Sequence, residues 1–343
     1  MTNMLTLMRQ EINEIPAATA RLIEGSGEAI REAGRALREL DPPVVVTIAR
    51  GSSDHAAHFL KYAIELQLGI PVASLGPSLA SIYEAPLRLS GAAAIGISQS
   101  GKSPDIVALT KAVRDAGALT LALVNTLPSP MGDAASMAID IQAGPEKAVA
   151  ATKSFVNSAV AGLAIIAEWS DDPALRAALA RLPRDFEAAL KLDWSVLVDK
   201  FRDAGSIYVL GRGPTLAIAA EAALKCKETS ELHAEAYSSA EVLHGPVSLV
   251  APAFPVIAFA ARDRAEGAIA DIAAGLSAKG ADIYITSGKA SGSVPLPFVD
   301  TGHPLTDALA LILPYYGFVE QLSRARGFNP DAPAALNKVT QTK

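Results

Sequence analysis

The second half of this sequence repeats the plan of its first half. Arg50-Gly51 and Arg212-Gly213 lie 162 positions apart, and after one inserted residue Ala116-Gly117-Ala118 meets Lys279-Gly280-Ala281. A period this long indicates a duplicated domain, because solenoid repeats are only about 20 to 50 residues long. A chain of 343 residues has room for roughly two domains. Each half is therefore predicted to fold as one domain.

Each half alternates short apolar runs with helical segments. In the first half, residues 44–49 form a β-branched run that ends before Gly51, and residues 92–97 form a second run. Between them, apolar residues recur at helical spacing from 54 to 68. This alternation is typical of a parallel sheet covered by helices on both faces. The predicted fold class is α/β, with two duplicated doubly wound parallel-sheet domains.

The predicted organisation has five parts. They are an N-terminal helical segment at 1–30, a first domain at 31–170, a connection at 171–193, a second domain at 194–330 and a C-terminal tail at 331–343. The connection is placed there because the stretch is polar and contains proline between two helical segments.

Composition and charge argue against several classes of protein. The formal net charge is -6, which does not fit the basic footprint of a nucleic-acid-binding protein. The single cysteine, Cys226, excludes an intrachain disulfide and a multi-cysteine zinc site. The longest apolar stretches fall short of the roughly 18 residues of a membrane span, and the N terminus has no signal-peptide pattern. We expect a cytoplasmic protein that binds neither nucleic acid nor membrane.

Hydroxyl side chains follow two strands of the first half. The loop Ser98-Gln99-Ser100-Gly101-Lys102-Ser103 follows the second apolar run, with Ser103 placed as the N-cap of a helix that begins at Pro104. Gly51-Ser52-Ser53 follows the first run. The free N–H groups and the positive dipole end of a helix start favour an anion such as phosphate. Because open α/β sheets bind ligands at the carboxyl ends of their strands, the pattern predicts a phosphate site there.

The second half differs at the equivalent loop. It has Ala260-Ala261-Arg262-Asp263, which has lost the hydroxyls and gained a carboxylate. One phosphate site per chain is therefore expected, in the first half. The serine loop is not a Walker loop, and Gly211-Arg212-Gly213 is followed by Leu216 where a dinucleotide fingerprint needs its third glycine.

Candidates for acid and base chemistry lie in the second half. Residues 219–231 read as a helix that places Lys225 and Glu228 on one face. His244 sits beside a Gly-Pro turn and has a side chain suited to moving protons near neutral pH. On spacing alone, the pair reads first as a solvated ion pair, and a lone histidine more often satisfies a local hydrogen bond. No ligand spacing of a known metal site is present, Gly-x-Ser-x-Gly is missing, and Cys226 reads as a packing residue.

Six motifs together resemble the isomerase half of glucosamine-6-phosphate synthase, in the same order and with the same spacing. They are Ser98-Gln99-Ser100-Gly101, Ala151-Thr152-Lys153-Ser154-Phe155, Leu210-Gly211-Arg212-Gly213, Leu224-Lys225-Cys226-Lys227-Glu228, His233-Ala234-Glu235-Ala236-Tyr237 and Leu243-His244-Gly245-Pro246. The resemblance extends to the tail, where Lys338 lies in a matching segment. It implies a tandem pair of flavodoxin-like sugar isomerase (SIS) domains, assembled as a homodimer with sites at the subunit interface and with no cofactor.

The resemblance also implies roles for individual residues. Glu228 would move a proton between C1 and C2 of the sugar, with Lys225 beside it. His244 would reach the site from the neighbouring subunit and assist ring opening, and Lys338 would contact the C1/C2 end. The residues that would hold the phosphate and the sugar hydroxyls are Ser52, Ser53, Ser98, Gln99, Ser100 and Ser103.

Two departures from the synthase shape the expected function. The glutamine-hydrolysing half is expected to be absent, so ammonia would not be drawn from glutamine. Ala151, Lys102 and Ser103 stand where the synthase shows Ser, Glu and Thr. The chain looks most like the stand-alone isomerising glucosamine-6-phosphate deaminases, which release ammonia and form a ketose 6-phosphate. A non-catalytic sugar-phosphate-binding regulator and a pure aldose-ketose isomerase remain alternatives.

Overall fold

The computed structural model describes residues 5–336 and residue 338 of the chain. These residues divide into two compact units. The first unit contains residues 17–146 and 153–180 together with Lys338, and the second contains residues 5–16, 147–152 and 181–336. The units interleave along the chain, and the five-part division of the sequence remains a prediction.

The helices and strands alternate along most of the chain. The strands are β1 (Val45–Ile48), β2 (Val72–Ser74), β3 (Ala93–Ser98), β4 (Leu119–Val124), β5 (Met137–Asp140), β6 (Ser206–Gly211), β7 (His233–Ser238), β8 (Pro255–Ala258), β9 (Asp282–Ile285) and β10 (Val294–Pro295). The α-helices are α1 (Leu7–Asn13), α2 (Ile15–Gly25), α3 (Gly27–Leu40), α4 (Ser52–Leu68), α5 (Ser78–Ser81), α6 (Pro104–Asp115), α7 (Pro130–Ala134), α8 (Lys153–Trp169), α9 (Pro173–Ala189), α10 (Val196–Phe201), α11 (Pro214–Ser230), α12 (Glu266–Ala278), α13 (Pro304–Ala310) and α14 (Ile312–Ala325). Two 3-10 helices span Glu241–Leu243 and Pro246–Leu249.

The first unit is built on a five-stranded parallel sheet. Its strand order is β2-β1-β3-β4-β5, with Val45 opposite both Val72 and Ala93. Strands β1 and β3 are buried along their whole length, as expected for central strands of a sheet with helices on both faces. The strand order reverses between β1 and β3, which is the position where doubly wound sheets open a crevice for a ligand.

The second unit repeats this sheet. Its order is β7-β6-β8-β9-β10, again fully parallel, so β6 and β8 take the places of β1 and β3. Helix α11 has the same length as α4, 17 residues, and each begins immediately after a glycine. Those glycines adopt nearly the same conformation, with φ 55° and ψ -133° at Gly51 and φ 62° and ψ -135° at Gly213.

A second pair of matched glycines supports the duplication. Gly117 follows α6 and Gly280 follows α12, and both have φ +95°. A Cβ at Gly117 would lie 3.2 Å from Ser90 Cα, and a Cβ at Gly280 would lie 3.4 Å from Pro252 Cα. Both turns therefore need glycine for the same two reasons, a left-handed backbone and a close neighbouring chain. The predicted α/β fold with two duplicated parallel-sheet domains is confirmed.

Candidate functional site

The two serine loops of the first unit both lie at the strand-order reversal. Ser98 is the last residue of β3 and is buried, whereas Ser52 and Ser53 form the first turn of α4, directly after the loop that leaves β1. Since β1 and β3 are adjacent and parallel, their carboxyl ends present both loops at one edge of the sheet. The prediction that hydroxyls follow neighbouring strands is confirmed.

The loop after β3 is held in shape by its own backbone. Gly101 N donates to Ser98 Oγ at 3.1 Å, and Lys102 N donates to Ser100 Oγ at 3.3 Å. Gly101 has φ +63°, and a Cβ there would lie 2.5 Å from Ser129 Oγ. Gly101 is therefore needed for the turn, and the folded loop leaves Gln99 and Ser100 half-buried at the sheet edge.

The helix start after this loop has the predicted boundaries. Pro104 is the first residue of α6 and Ser103 is its N-cap residue. Within α6, all of which the structure describes, the Ser103 side chain caps no backbone N–H group. A half-buried hydroxyl and the first-turn N–H groups thus lie together at a position where a helix favours an anion.

An ion pair joins the loop after β1 to the start of α6. Arg50, in the loop after β1, places its Nη2 on Oδ2 of Asp105, which lies in the first turn of α6. The Asp105 side chain is fully buried, while 46% of the Arg50 side chain remains exposed. Neither residue was singled out for the site from the sequence, because nothing in a sequence pattern shows which distant loops meet.

The corresponding loop of the second unit is already filled by the protein's own charges. The Arg262 guanidinium donates to the carbonyl oxygens of Ala260 and Thr286, and its Nε lies 3.4 Å from Glu266. The Asp263 carboxylate accepts the backbone N–H of Ala265 at 2.8 Å, at the start of α12. An internal carboxylate thus occupies the place that an anionic ligand would take, in agreement with the loss of hydroxyls seen in the sequence.

Lys225 is buried between two carboxylates of α11. Its ammonium contacts Glu228 Oε2 and lies 3.3 Å from Glu221 Oε1. Burial acts to lower the pKa of Lys225, but Glu221 and Glu228 outweigh this effect and raise the pKa above its ordinary value. Lys225 therefore stays a cation near neutral pH. Glu221 was missed, although its i,i+4 spacing to Lys225 could have revealed it.

Glu228 is the member of this cluster that solvent reaches. Its side chain is 22% exposed, whereas the side chains of Lys225 and Glu221 are fully buried. Glu221 also accepts a hydrogen bond from the Tyr316 hydroxyl at 3.2 Å. The arrangement holds one carboxylate at the surface against a fixed positive charge.

Cys226, the neighbour of Lys225, is a packing residue as predicted. It is fully buried, and its Sγ lies 2.9 Å from the Tyr315 hydroxyl. Burial raises the pKa of the Cys226 thiol to about 11. A thiol with such a pKa supplies almost no thiolate near neutral pH, so it is no candidate nucleophile.

His244 lies on an exposed, irregular segment of the second unit. It directly follows the 3-10 helix Glu241–Leu243, and its backbone N donates to Glu241 O at 2.9 Å. The following residue, Gly245, has φ +137°. His244 is thus exposed at the surface of this chain.

Lys338 belongs to the first unit and is held there by Glu146. Its Nζ lies 3.3 Å from Glu146 Oε2, and the Glu146 carboxylate also accepts from the Ser154 hydroxyl at 2.6 Å. Ser154 is in the first turn of α8. Glu146 was not predicted from the sequence, because its two partners lie 8 and 192 positions away.

Among residues 5–336 and 338, no group of three or more His, Cys, Asp or Glu side chains could hold a metal ion. Within the same described part of the chain, no helix is both long and apolar enough to cross a membrane.

Comparison with known proteins finds one family and close relatives. The model of the SIS domain family matches residues 41–167 and 200–295. The glutamine–fructose-6-phosphate aminotransferase [isomerizing] of Tropheryma whipplei is 32% identical over 97% of this chain. The alignment covers 58% of that relative, so this chain spans little more than half its length.

Solved structures agree with this assignment. A protein from Silicibacter pomeroyi, provisionally named a phosphosugar isomerase, has a TM-score of 0.93 and 51% identity over 95% of this chain and 100% of its own. The C-terminal domain of glucosamine-fructose-6-phosphate aminotransferase from Francisella tularensis has a TM-score of 0.85 and 25% identity, over 96% of this chain and 98% of its own. The chain belongs to the SIS domain family.

Proposed function

We propose that this protein is a phosphosugar isomerase that converts glucosamine 6-phosphate, or a close relative, to a ketose 6-phosphate and releases ammonia. The observation that carries the proposal is the asymmetry of the two repeats. The first repeat offers serine hydroxyls at its strand-order reversal, beside a helix start where the N-cap residue Ser103 caps no N–H group, while an arginine and an aspartate fill the same place in the second. The similarity to an isomerizing aminotransferase supports the same substrate class.

The phosphate and sugar hydroxyls are bound by the first repeat. The helix starts of α4 and α6 supply backbone N–H groups, which suit a phosphate. The side chains that take part are Ser52, Ser53, Ser98, Gln99, Ser100 and Ser103. None of them carries a charge, so they orient the ligand through hydrogen bonds.

Glu228 moves the proton. In the open-chain amino sugar, its carboxylate removes the proton on C2, and the electron pair of that C–H bond forms a C1–C2 double bond as the aldehyde oxygen gains a proton. Return of a proton to C1 leaves an imine at C2. Water adds to this imine and ammonia departs, so one amino-sugar phosphate and one water give one ketose phosphate and one ammonia.

Three other residues assist this transfer. Lys225, kept cationic by its two carboxylates, stabilises the negative charge that develops on oxygen. His244 assists ring opening from the partner subunit of a homodimer. Lys338, positioned by Glu146, contacts the C1/C2 end of the sugar.

Turnover of phosphorylated amino sugars tests the proposal. Purified protein is incubated with glucosamine 6-phosphate, galactosamine 6-phosphate and the corresponding sugars without nitrogen, and both ammonia and ketose are measured. We expect ammonia and ketose in equal amounts from an amino sugar, and loss of both in Glu228→Gln. Glu231→Gln serves as the control, because Glu231 ends the same helix beyond the Lys225 cluster.

Three results would contradict the proposal. Ketose formed without ammonia indicates a pure aldose-ketose isomerase. Tight binding without turnover indicates a regulator that senses sugar phosphate. Full activity of Glu228→Gln removes Glu228 from its role.

A further inference from the structure

The ion pair between Arg50 and Asp105 places a guanidinium at the start of α6. Arg50 Nη2 contacts Asp105 Oδ2, and Asp105 Oδ1 accepts the backbone N–H of Ile106 at 2.9 Å. Asp105 is only two positions beyond Ser103, the N-cap residue of α6. The positive charge of Arg50 therefore lies beside the first turn of this helix, next to the serine loops.

Arg50 keeps hydrogen-bonding capacity for a ligand. A guanidinium has five N–H donors in a rigid, planar arrangement, and the contact with Asp105 Oδ2 is made through Nη2. Almost half of the side chain, 46%, is exposed. Asp105 is fully buried, so it fixes the edge of the guanidinium that carries Nη2.

We propose that Arg50 binds the substrate phosphate and is a specificity-determining residue, with Asp105 as the residue that positions it. The inference rests on the proposed function. Serine hydroxyls and backbone N–H groups form a neutral cradle, whereas Arg50 adds the charge that distinguishes a phosphate dianion from an uncharged sugar end. Charge-assisted hydrogen bonds from arginine to phosphate are about twice as strong as neutral ones.

The second repeat provides a matched comparison within the chain. Arg212 stands where Arg50 stands, directly before a glycine of nearly the same conformation. However, the residue at the position of Asp105 is Gly267, and the adjoining loop is filled by Arg262 and Asp263. Arg212 therefore shares the backbone environment of Arg50 without the aspartate and the serine loop.

Kinetics and phosphate inhibition of matched variants test the inference. In Arg50→Ala we expect the KM for the sugar phosphate, and the inhibition constant of inorganic phosphate, to rise about tenfold or more with little change in kcat. Arg50→Lys, which keeps the charge but loses the planar arrangement of donors, is expected between Arg50→Ala and the unmodified chain. Arg212→Ala should leave both constants unchanged.

A double variant distinguishes phosphate binding by Arg50 from mere neutralisation of the Asp105 carboxylate by Arg50. Arg50→Ala leaves the Asp105 carboxylate buried without this partner, which alone could repel a phosphate. In Arg50→Ala/Asp105→Asn the Asp105 charge is gone. We expect phosphate binding to stay as weak as in Arg50→Ala, because the guanidinium is still missing. Recovery of the normal KM and inhibition constant in the double variant would overturn the inference.

The outcomes also separate this inference from the proposed function. If the unmodified chain neither turns over a sugar phosphate nor binds it in titration calorimetry, the proposed function fails. If the unmodified chain does so and Arg50→Ala behaves identically, only the role of Arg50 fails. If Arg50→Ala fails to fold, Arg50→Lys and Asp105→Asn replace it. An unchanged KM for the sugar phosphate and an unchanged inhibition constant of phosphate in both variants would contradict a positioned guanidinium.

Discussion

At the scale of single residues, the two carboxylates around Lys225 serve different purposes. Glu221 is fully buried and is also bonded to the Tyr316 hydroxyl, whereas Glu228 reaches solvent. A buried ammonium needs a fixed counter-charge, since removing one partner of a buried ion pair leaves an uncompensated charge. Glu221 supplies that fixed charge, whereas Glu228 is the carboxylate that we propose to exchange a proton with the substrate.

This division predicts different effects on stability. We expect Glu221→Gln to lower the free energy of unfolding by about 3 kcal/mol, because Lys225 loses its fully buried partner. Glu228→Gln should cost about 1 kcal/mol or less, since that carboxylate is partly solvated and exposed ion pairs contribute little. Urea unfolding of both variants measures the difference. Equal losses would show that the two carboxylates are equivalent.

His58 of α4 predicts a pH dependence of stability. Burial lowers the pKa of His58 below 6.5, although Asp54 acts in the opposite direction. As pH falls, the unfolded chain then takes up a proton at His58 before the folded chain does. His58 therefore costs no stability by this route above about pH 6.5, and the free energy of unfolding decreases as pH falls from there toward the lower folded pKa. We expect His58→Gln to lose less unfolding free energy than the unmodified chain between about pH 7 and pH 5.5. Parallel losses in urea titrations at both pH values would contradict this.

At the scale of elements, equal backbones carry different side chains. Helices α4 and α11 have the same length and begin after glycines of matching conformation. A serine loop follows the strand next to β1 in the first unit, but none follows the equivalent strand of the second unit. Before α12, the Asp263 carboxylate accepts the backbone N–H of Ala265, whereas the Ser103 side chain caps no N–H group of α6. The two copies thus share a backbone scaffold and differ in the side chains of this loop.

The two glycines allow scaffold and ligand effects to be separated. Both have positive φ with ψ near -134°, where a side chain costs about 1–3 kcal/mol. We therefore expect Gly51→Ala and Gly213→Ala to lose similar unfolding free energy. Only Gly51→Ala should raise the KM for a sugar phosphate, because it shifts Ser52 and Ser53. A KM increase of the same size in both variants would show that the effect is general strain.

Local elements were predictable from the sequence to within a few residues. The run at 44–49 contains β1, the helical spacing at 54–68 became α4 (Ser52–Leu68), and the start of α6 at Pro104 was placed correctly. Helix α11 begins at Pro214 rather than near 219, because the Gly-Pro start signal was not used. Periodicity reports which residues share a face, so it identifies elements well.

Contacts between distant segments were not predictable in this way. The pairs Arg50–Asp105 and Glu146–Lys338 join distant segments that only the folded sheet and its helices bring together. The serines could be predicted because they follow β1 and β3, which lie side by side in a doubly wound sheet. The residues that position or charge the candidate site were missed, since their partners are set by side-chain packing.

At the scale of the whole molecule, apolar side chains are exposed on the segment around His244. Leu243 and Leu249 flank His244 and are 46% and 66% exposed. Exposed apolar side chains beside a candidate functional residue are typical of an interaction surface. Together with the family resemblance, they favour a homodimer in which each subunit gives its His244 to the other, and such an interface is reciprocal.

Mixing two inactive variants tests this exchange. Glu228→Gln and His244→Ala are each expected to be inactive alone. In a mixed dimer, one site combines both defects, while the other receives Glu228 from one subunit and His244 from its partner. Random reassociation makes about half of the dimers mixed, each with one intact site, so about a quarter of the unmodified activity should return. Co-expression of the two variants, followed by the ammonia assay, measures this recovery.

The control for that experiment uses a residue pair from within one subunit. Glu228→Gln mixed with Lys225→Met should stay inactive, because both residues belong to the same helix and neither subunit then holds an intact pair. Recovery in the first mixture alone would place His244 across the interface. If neither mixture recovers activity although mixed dimers form, His244 acts within its own chain, and the exposed leucines need another explanation.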